Sequence, residues 1–234
     1  GTYQAGIYAA GFRILDASNM IAYLFAGLLL PMFAHVHRDR KATEDLLGTA
    51  VSLMSVVVLT LSLVTVRFNK EIMDLLYVGA GASWYSSMSL LMWSFIPMGL
   101  SYIAGALLIA RNLLRPLNTI YFLGVLINVG LNLFWIPKYG VEGAARATLW
   151  TQGVVTVLAY LVIVLAAKVR PGSNYILKLI AFSSVGVALF ILSHQIANSI
   201  GWEVLALLFI TCLGLLALIL RMVPWSLIRK TGID

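Results

Sequence analysis

The chain is a succession of seven long apolar runs that contain no acidic residue, lysine or arginine. A helix needs roughly 20 apolar residues to cross a hydrocarbon core of about 30 Å, and most of the runs reach that length. The first run ends with two histidines, and the last run is a little short. The runs are Ala17–His37, Leu46–Val66, Leu75–Ala110, Pro116–Pro137, Ala147–Ala167, Leu179–Trp202 and Val204–Leu220.

The third run is too long for a single span, and two local features explain its length. Glycines and serines at positions 79–87 predict a loop that leads into a helix near Met88. Before that loop, the segment 68–77 places apolar and charged side chains on opposite helical faces, which predicts a short helix on the outer surface. Its apolar face holds Ile72, Leu75 and Leu76, and its charged face holds Lys70, Glu71 and Asp74.

The fourth and fifth runs are joined by the very short turn 137–140, so we expect these helices to form an antiparallel hairpin. Small residues follow the turn at Gly143, Ala144 and Ala147. Small side chains allow the backbones of two membrane helices to approach closely. The sequence therefore predicts tight packing at the start of the fifth span.

Composition supports a membrane protein. Hydrophobic residues make up 61% of the chain and charged residues 11%, whereas a soluble domain carries about 25% charged residues. A membrane span must be a helix or part of a closed barrel, and uninterrupted apolar runs exclude the alternating strands of a barrel. We predict an all-α integral membrane protein with seven transmembrane helices. Residues 1–167 form a core of five spans and the surface helix, and residues 168–234 add two helices and a cytoplasmic tail.

The net charge of +7 is unevenly distributed between the loops. If the spans alternate in direction, most of the basic residues fall on one side, which the positive-inside rule places in the cytoplasm. The chain then starts outside and ends inside, and an odd number of spans without an initiator Met predicts the tail of a longer chain. The basic residues of that side are Arg38, Arg40, Lys41, Arg111, Arg115, Lys168, Arg170, Lys178, Arg221, Arg229 and Lys230.

Ionisable residues near membrane spans are candidate functional residues. Arg13 and Asp16 are three apart on the first helix and close enough to pair. Arg13 can attract a phosphate or carboxylate, or it can extend to the lipid head groups. Glu142 and Arg146 are four apart and predict a local salt bridge at the hairpin.

Two amides lie within the fourth span, at Asn128 and Asn132. A buried amide needs a hydrogen-bond partner, so these side chains either bond to a neighbouring helix or face a polar cavity. His35 and His37 do not predict a metal site, because no Cys, Asp or Glu cluster is close in sequence and basic residues follow. No motif for catalysis is present, so we predict neither an enzyme nor a cofactor.

Two stretches resemble a known family. The first is Gly6-Ile7-Tyr8-Ala9-Ala10-Gly11-Phe12-Arg13-Ile14, and the second runs from Asn128-Val129-Gly130-Leu131-Asn132 through Ile136-Pro137-Lys138-Tyr139-Gly140 to Gly143-Ala144-Ala145 and Ala147-Thr148. Together they resemble the C-terminal half of polysaccharide flippases in the multidrug, oligosaccharidyl-lipid and polysaccharide exporter superfamily. The resemblance covers most of residues 1–167.

This resemblance implies the second bundle of an inverted-V fold in the bacterial or archaeal cytoplasmic membrane. It implies translocation of undecaprenyl-diphosphate-linked oligosaccharide by alternating access, with H⁺ or Na⁺ as a possible coupling ion. The partners would be membrane lipids and the N-terminal bundle of the same chain, without which this segment should not transport. Arg13 would hold the diphosphate, with Arg111 and Arg146 as further candidates.

Three other functions remain open at this point. A cation-coupled drug antiporter of the same superfamily needs a deep acidic residue, whereas Asp16 and Glu142 lie near span ends. A seven-helix receptor or photosensor is the second alternative; a retinal photosensor needs a lysine in its last helix, and Val204–Leu220 has none. A non-transport membrane scaffold is the third alternative.

Overall fold

The computed structural model describes residues 2–170, 172–196 and 201–222. Within them, seven helices are long and apolar enough to cross a membrane, and an eighth, α3, is short. The predicted all-α membrane fold is therefore confirmed. The helices are α1 (Thr2–Val36), α2 (Arg40–Arg67), α3 (Asn69–Leu76), α4 (Ala82–Ala110), α5 (Leu114–Tyr139), α6 (Val141–Leu165), α7 (Ser173–Ile196) and α8 (Trp202–Ile219).

Two helices begin earlier than predicted. The α4 helix begins at Ala82 rather than near Met88, so the predicted loop at 79–87 ends before the serines. The α2 helix likewise begins at Arg40, before its apolar run starts at Leu46, because the Asp39 side chain accepts a hydrogen bond from the Ala42 amide and caps the helix. Hydropathy shows where a helix enters lipid, but a helix continues into the head-group region wherever a cap is available.

The predicted surface segment forms α3, but its buried side chain is Met73. Ile72 of the predicted apolar face packs against the core of the bundle, whereas Leu75 and Leu76 are exposed, which is compatible with a surface helix that turns them toward lipid. Two hydrogen bonds hold the segment against α4: Asn69 Nδ2 donates to Ser89 Oγ (2.7 Å), and Tyr85 Oη donates to Asp74 Oδ1 (2.5 Å).

The central helix of the bundle is α4, which packs against α1, α2 and α6. Glycines bring these backbones close together. A Cβ atom on Gly11 of α1 would lie 3.3 Å from the Cα atom of Met88, and one on Gly99 of α4 would lie 2.5 Å from Cγ1 of Val58. Close packing of this kind drives association between membrane helices, because lipid supplies no hydrophobic force between them.

The predicted hairpin is confirmed: a single residue, Gly140, separates α5 from α6. Its φ of +56° and ψ of −128° favour glycine. At Gly143 a Cβ atom would meet the carbonyl group of Trp135, so the predicted close packing at this turn is present. The hairpin lays α5 along α6, and α5 contacts α4 only slightly.

At the other side of the bundle, α7 and α8 pack against α2 around a small cluster that includes Leu63, Phe182 and Leu213. The buried Arg67 joins α2 to α7, since its Nε donates to Ser193 Oγ (2.8 Å) and its Nη2 donates to the Ser193 carbonyl (3.1 Å). The predicted tail with Arg229 and Lys230 lies outside the described residues.

Candidate functional site: a polar cavity between four helices

A cavity of about 470 Å³ lies between α1, α4, α5 and α6. This volume is within the range of about 300–1,000 Å³ that is usual for small-molecule sites. None of the residues in its wall carries a formal charge. More than half of them have a hydroxyl or amide group, and for these groups we call it the polar cavity, although most of its accessible wall is apolar. The wall consists of Tyr8, Phe12, Met98, Ser101, Tyr102, Tyr121, Gly124, Val125, Asn128, Val129, Thr148, Thr151, Gln152 and Val155.

The two amides predicted from the fourth span form a chain of hydrogen bonds beside this cavity. Asn132 Nδ2 donates to Asn128 Oδ1 (2.9 Å), and Asn128 Nδ2 donates to Thr151 Oγ1 on α6 (3.3 Å). Asn128 therefore meets both predicted alternatives, since it bonds to a neighbouring helix and also lines a polar cavity. Asn132 is not among the lining residues.

Other polar side chains of the wall are fixed across helix boundaries. The hydroxyl groups of Tyr8 on α1 and Thr148 on α6 are 3.1 Å apart, and Asn19 Nδ2 donates to Tyr102 Oη (3.0 Å). The Gln152 side chain and the Tyr121 hydroxyl line the cavity without a hydrogen bond to any residue that the structure describes, and the only side-chain hydrogen bond that reaches Gln152 is to its backbone carbonyl. The Gln152 amide is therefore free to bind a solute.

A second cavity, of about 260 Å³, continues the first one along α1 and α4. Tyr102 and Tyr121 belong to the walls of both, and Tyr23 lines the second cavity with its ring edge-on to that of Tyr102. The centroids of those two rings are 6.1 Å apart. The two cavities are therefore neighbours that share two tyrosines in their walls.

The first-helix candidates, Arg13 and Asp16, do not form the predicted ion pair, since neither takes part in any salt bridge between described residues. Both side chains are exposed. Arg13 lines a separate pocket with Tyr77 and Trp84 and is absent from the wall of the polar cavity. Asp16 is also absent from that wall.

The remaining arginine candidates lie outside the cavity wall as well. Arg146 forms the predicted salt bridge with Glu142 (3.3 Å) and lies over the Tyr139 ring, 4.7 Å from its centroid. Arg111 ends α4 and donates from Nη2 to Thr43 Oγ1 (3.2 Å). The structure thus separates the candidate cations from one another and from the candidate amide Asn128.

Sequence reasoning overlooked the aromatic part of the site. Tyr8, Tyr102 and Tyr121 each lie within an apolar stretch, where a tyrosine hydroxyl needs a partner once it is buried. A tyrosine within an apolar run can therefore be recognised in the sequence as a residue that needs a polar partner. The sequence does not show which tyrosines lie close to one another in the fold. Among the described residues, no group of three His, Cys, Asp or Glu side chains is placed to share a metal ion.

Comparison with known proteins identifies no relative of this chain. The chain matches no protein-family model, and a search of curated proteins finds no significant similarity. The fold therefore identifies this chain as a multi-pass, all-α membrane protein. Its polar cavity lies between α1, α4, α5 and α6.

Proposed function

We propose that this chain is the second half of a flippase that carries undecaprenyl-diphosphate-linked oligosaccharide across the cytoplasmic membrane for cell-surface polysaccharide synthesis. The observation that supports the proposal best is the uncharged polar cavity between α1, α4, α5 and α6. The resemblance of the stretches 6–14 and 128–148 to polysaccharide flippases names the substrate class. In the proposed orientation the chain starts outside and ends in the cytoplasm.

The chemistry of the wall suits a sugar. Sugar hydroxyls both donate and accept hydrogen bonds, as do the hydroxyl groups of Tyr102 and Thr148 and the amides of Asn128 and Gln152. A sugar in hydrocarbon would lose its hydrogen bonds with water, at a cost of roughly 4–8 kcal/mol for each hydroxyl without a partner. A wall of neutral donors and acceptors lowers that cost without holding a counterion.

The same wall disfavours cation-coupled antiport in this half of the protein. A transported cation or proton needs a carboxylate near the middle of the membrane, and the cavity lining has no Asp or Glu. Under the proposal, the glycan occupies the cavity while the isoprenoid tail stays in the lipid. The N-terminal bundle supplies the opposite wall, and rocking of the two bundles alternates access.

Gln152 offers the cleanest test of this proposal. In the full-length parent protein, reconstituted in proteoliposomes, we expect Gln152→Leu to slow translocation of lipid-linked oligosaccharide at least tenfold. The substitution replaces the amide by a branched apolar side chain that is one bond shorter. It breaks no hydrogen bond of the Gln152 side chain within the described residues, so the midpoint temperature of unfolding should stay within a few degrees of wild type.

The matched control is Asn118→Leu, which also replaces an amide by leucine. Asn118 is exposed on α5 and does not line the cavity, so its substitution should leave translocation unchanged. If Gln152→Leu transports at the wild-type rate, or if both variants lose transport equally, the cavity is not the path of the glycan.

A further inference from the structure

The pocket that contains Arg13 is separate from the polar cavity. It has a volume of about 280 Å³ and lies between the first turns of α1 and the junction of α3 with α4. None of its lining residues lines the cavity of the proposed function. Its wall consists of Tyr3, Gly6, Ala9, Ala10, Arg13, Tyr77 and Trp84.

Arg13 gives this pocket a single positive charge. Its guanidinium forms no salt bridge with any described residue, and the pocket wall contains no acidic side chain. Arg13 also lies four residues before the uncharged run that starts at Ala17, about 6 Å along the helix axis. A cation near the end of a span, with a fork of donors and no protein anion, is suited to a carboxylate or phosphate.

Aromatic rings form the opposite part of the wall. The Tyr77 and Trp84 rings contact each other with centroids 5.3 Å apart, and Trp84 Nε1 donates to Tyr3 Oη at 3.5 Å. These side chains combine an apolar face with a polar edge. The apolar face of a sugar ring can stack on such a surface while its hydroxyls bond at the edge.

The floor of the pocket is open because small residues of α1 face it. A Cβ atom on Gly6 would have no neighbour within 4 Å, and Ala9 adds only a methyl group. The α3 segment that precedes Tyr77 is joined to α4, which carries Trp84, by the hydrogen bonds of Tyr85 with Asp74 and of Asn69 with Ser89. The space is therefore present before a ligand enters.

We infer that this pocket binds a sugar ring that carries an anionic group, with Arg13 on the carboxylate or phosphate and Trp84 against the ring. The site lies beside the predicted outer end of α1, away from the polar cavity. The pocket would select acidic sugars at the face where a flipped glycan emerges, and this role in transport rests on the proposed function. The binding test is independent of the proposed function, because binding at equilibrium requires no transport.

The test measures binding by calorimetry with the purified protein in phosphatidylcholine nanodiscs. The probes are methyl β-glucuronide, its uncharged analogue methyl β-glucoside, and acetate. We expect the glucuronide to bind at least tenfold more tightly than either of the others, because only the glucuronide offers both a ring and a charge. Equal affinities for glucuronide and glucoside, or for glucuronide and acetate, would overturn the inference.

Two variants assign the contacts. Arg13→Gln should lower glucuronide affinity to that of the glucoside, and Trp84→Leu should lower it to that of acetate. The control is Arg115→Gln, which removes an exposed arginine at the opposite end of the bundle and should change nothing. Unchanged glucuronide binding by Arg13→Gln, or an equal loss in the control, would refute the assignment.

A phospholipid head group carries the same anionic chemistry, so the lipid must also be varied. Replacing half of the phosphatidylcholine by phosphatidylglycerol, in a high-salt buffer that screens the membrane surface charge, should leave glucuronide affinity within threefold. A larger loss in those nanodiscs would mean that Arg13 serves lipid head groups, and the acidic-sugar inference would fail. Neither result bears on Gln152, so the two proposals can fail separately.

Discussion

The helices α4 and α5 are both long and apolar, yet they occupy opposite environments. In the most apolar stretch of each helix, 61% of the residues of α4 are buried, against 11% of those of α5. The difference comes from side-chain size and position. Glycine and serine let α4 meet three neighbours, whereas α5 presents bulky side chains such as Phe122, Leu133 and Phe134 to the outside.

That contrast explains where the candidate site lies. Because α5 packs mainly along α6 and touches α4 only slightly, a space remains between α5 and α1, and the polar residues of four helices line it. The tightly packed α4 supplies a fixed wall for this space. A bundle in which α5 packed as α4 does would have no such cavity.

The largest effect should come from removing a ring on the central helix. Phe95 on α4 is fully buried, and truncation of a buried Phe typically costs about 3–5 kcal/mol in a soluble core. In lipid, part of the transfer term is absent but the lost packing contacts remain. We therefore expect Phe95→Ala to destabilise the protein by about 3 kcal/mol, measured as unfolding in mixed micelles.

Phe134→Ala on α5 is the matched control. Its ring is 72% exposed, so its loss leaves no internal cavity, and a change below about 0.5 kcal/mol is expected. Equal losses for the two variants would show that α4 and α5 are packed alike, contrary to the structure.

The next effect should come from filling the contact between α4 and α2. Gly99→Val places a branched side chain against the buried Val58, which has little freedom to move. Overpacking of this kind costs about 1–3 kcal/mol, and we expect about 2 kcal/mol by the same unfolding measurement.

Gly130→Val makes the same substitution on α5, where a Cβ atom would have no neighbour within 4 Å. It should be neutral or slightly stabilising, because valine has a better helix propensity than glycine. If Gly130→Val were as unstable as Gly99→Val, position 130 would be tightly packed, contrary to the structure.

The smallest effect should come from Gly140, the turn residue between α5 and α6. Gly140→Ala puts a Cβ atom on a residue with φ of +56° and against the flexible side chain of Gln4. The strain of a non-glycine residue in this sparsely populated conformation should cost about 1 kcal/mol. Gly153→Ala on α6, where the added Cβ atom would meet nothing within 4 Å, should not destabilise. The prediction would be refuted if Gly140→Ala were as stable as wild type while Gly153→Ala lost stability.

Part of the candidate site could be predicted from the sequence. Amides within an apolar run stand out, so Asn128 was recognisable, and the i,i+4 spacing of Glu142 and Arg146 predicted their salt bridge. The place of Arg13 was not recognisable in the same way. Its distance from Asp16 along the helix allows a pair, but the structure places Arg13 beside Trp84 instead.

By itself, the sequence determined the solvent, the helical class and the hairpin, because each depends on local properties: apolar length, backbone hydrogen bonding and the length of the turn 137–140. Only the tertiary structure decided which helix is central and which side chains share a cavity. Those facts depend on contacts between residues far apart in the chain, such as Tyr8 with Thr148 and Gly99 with Val58. Lipid solvates every apolar helix face about equally well, so side-chain packing rather than hydrophobicity determines which helices contact one another.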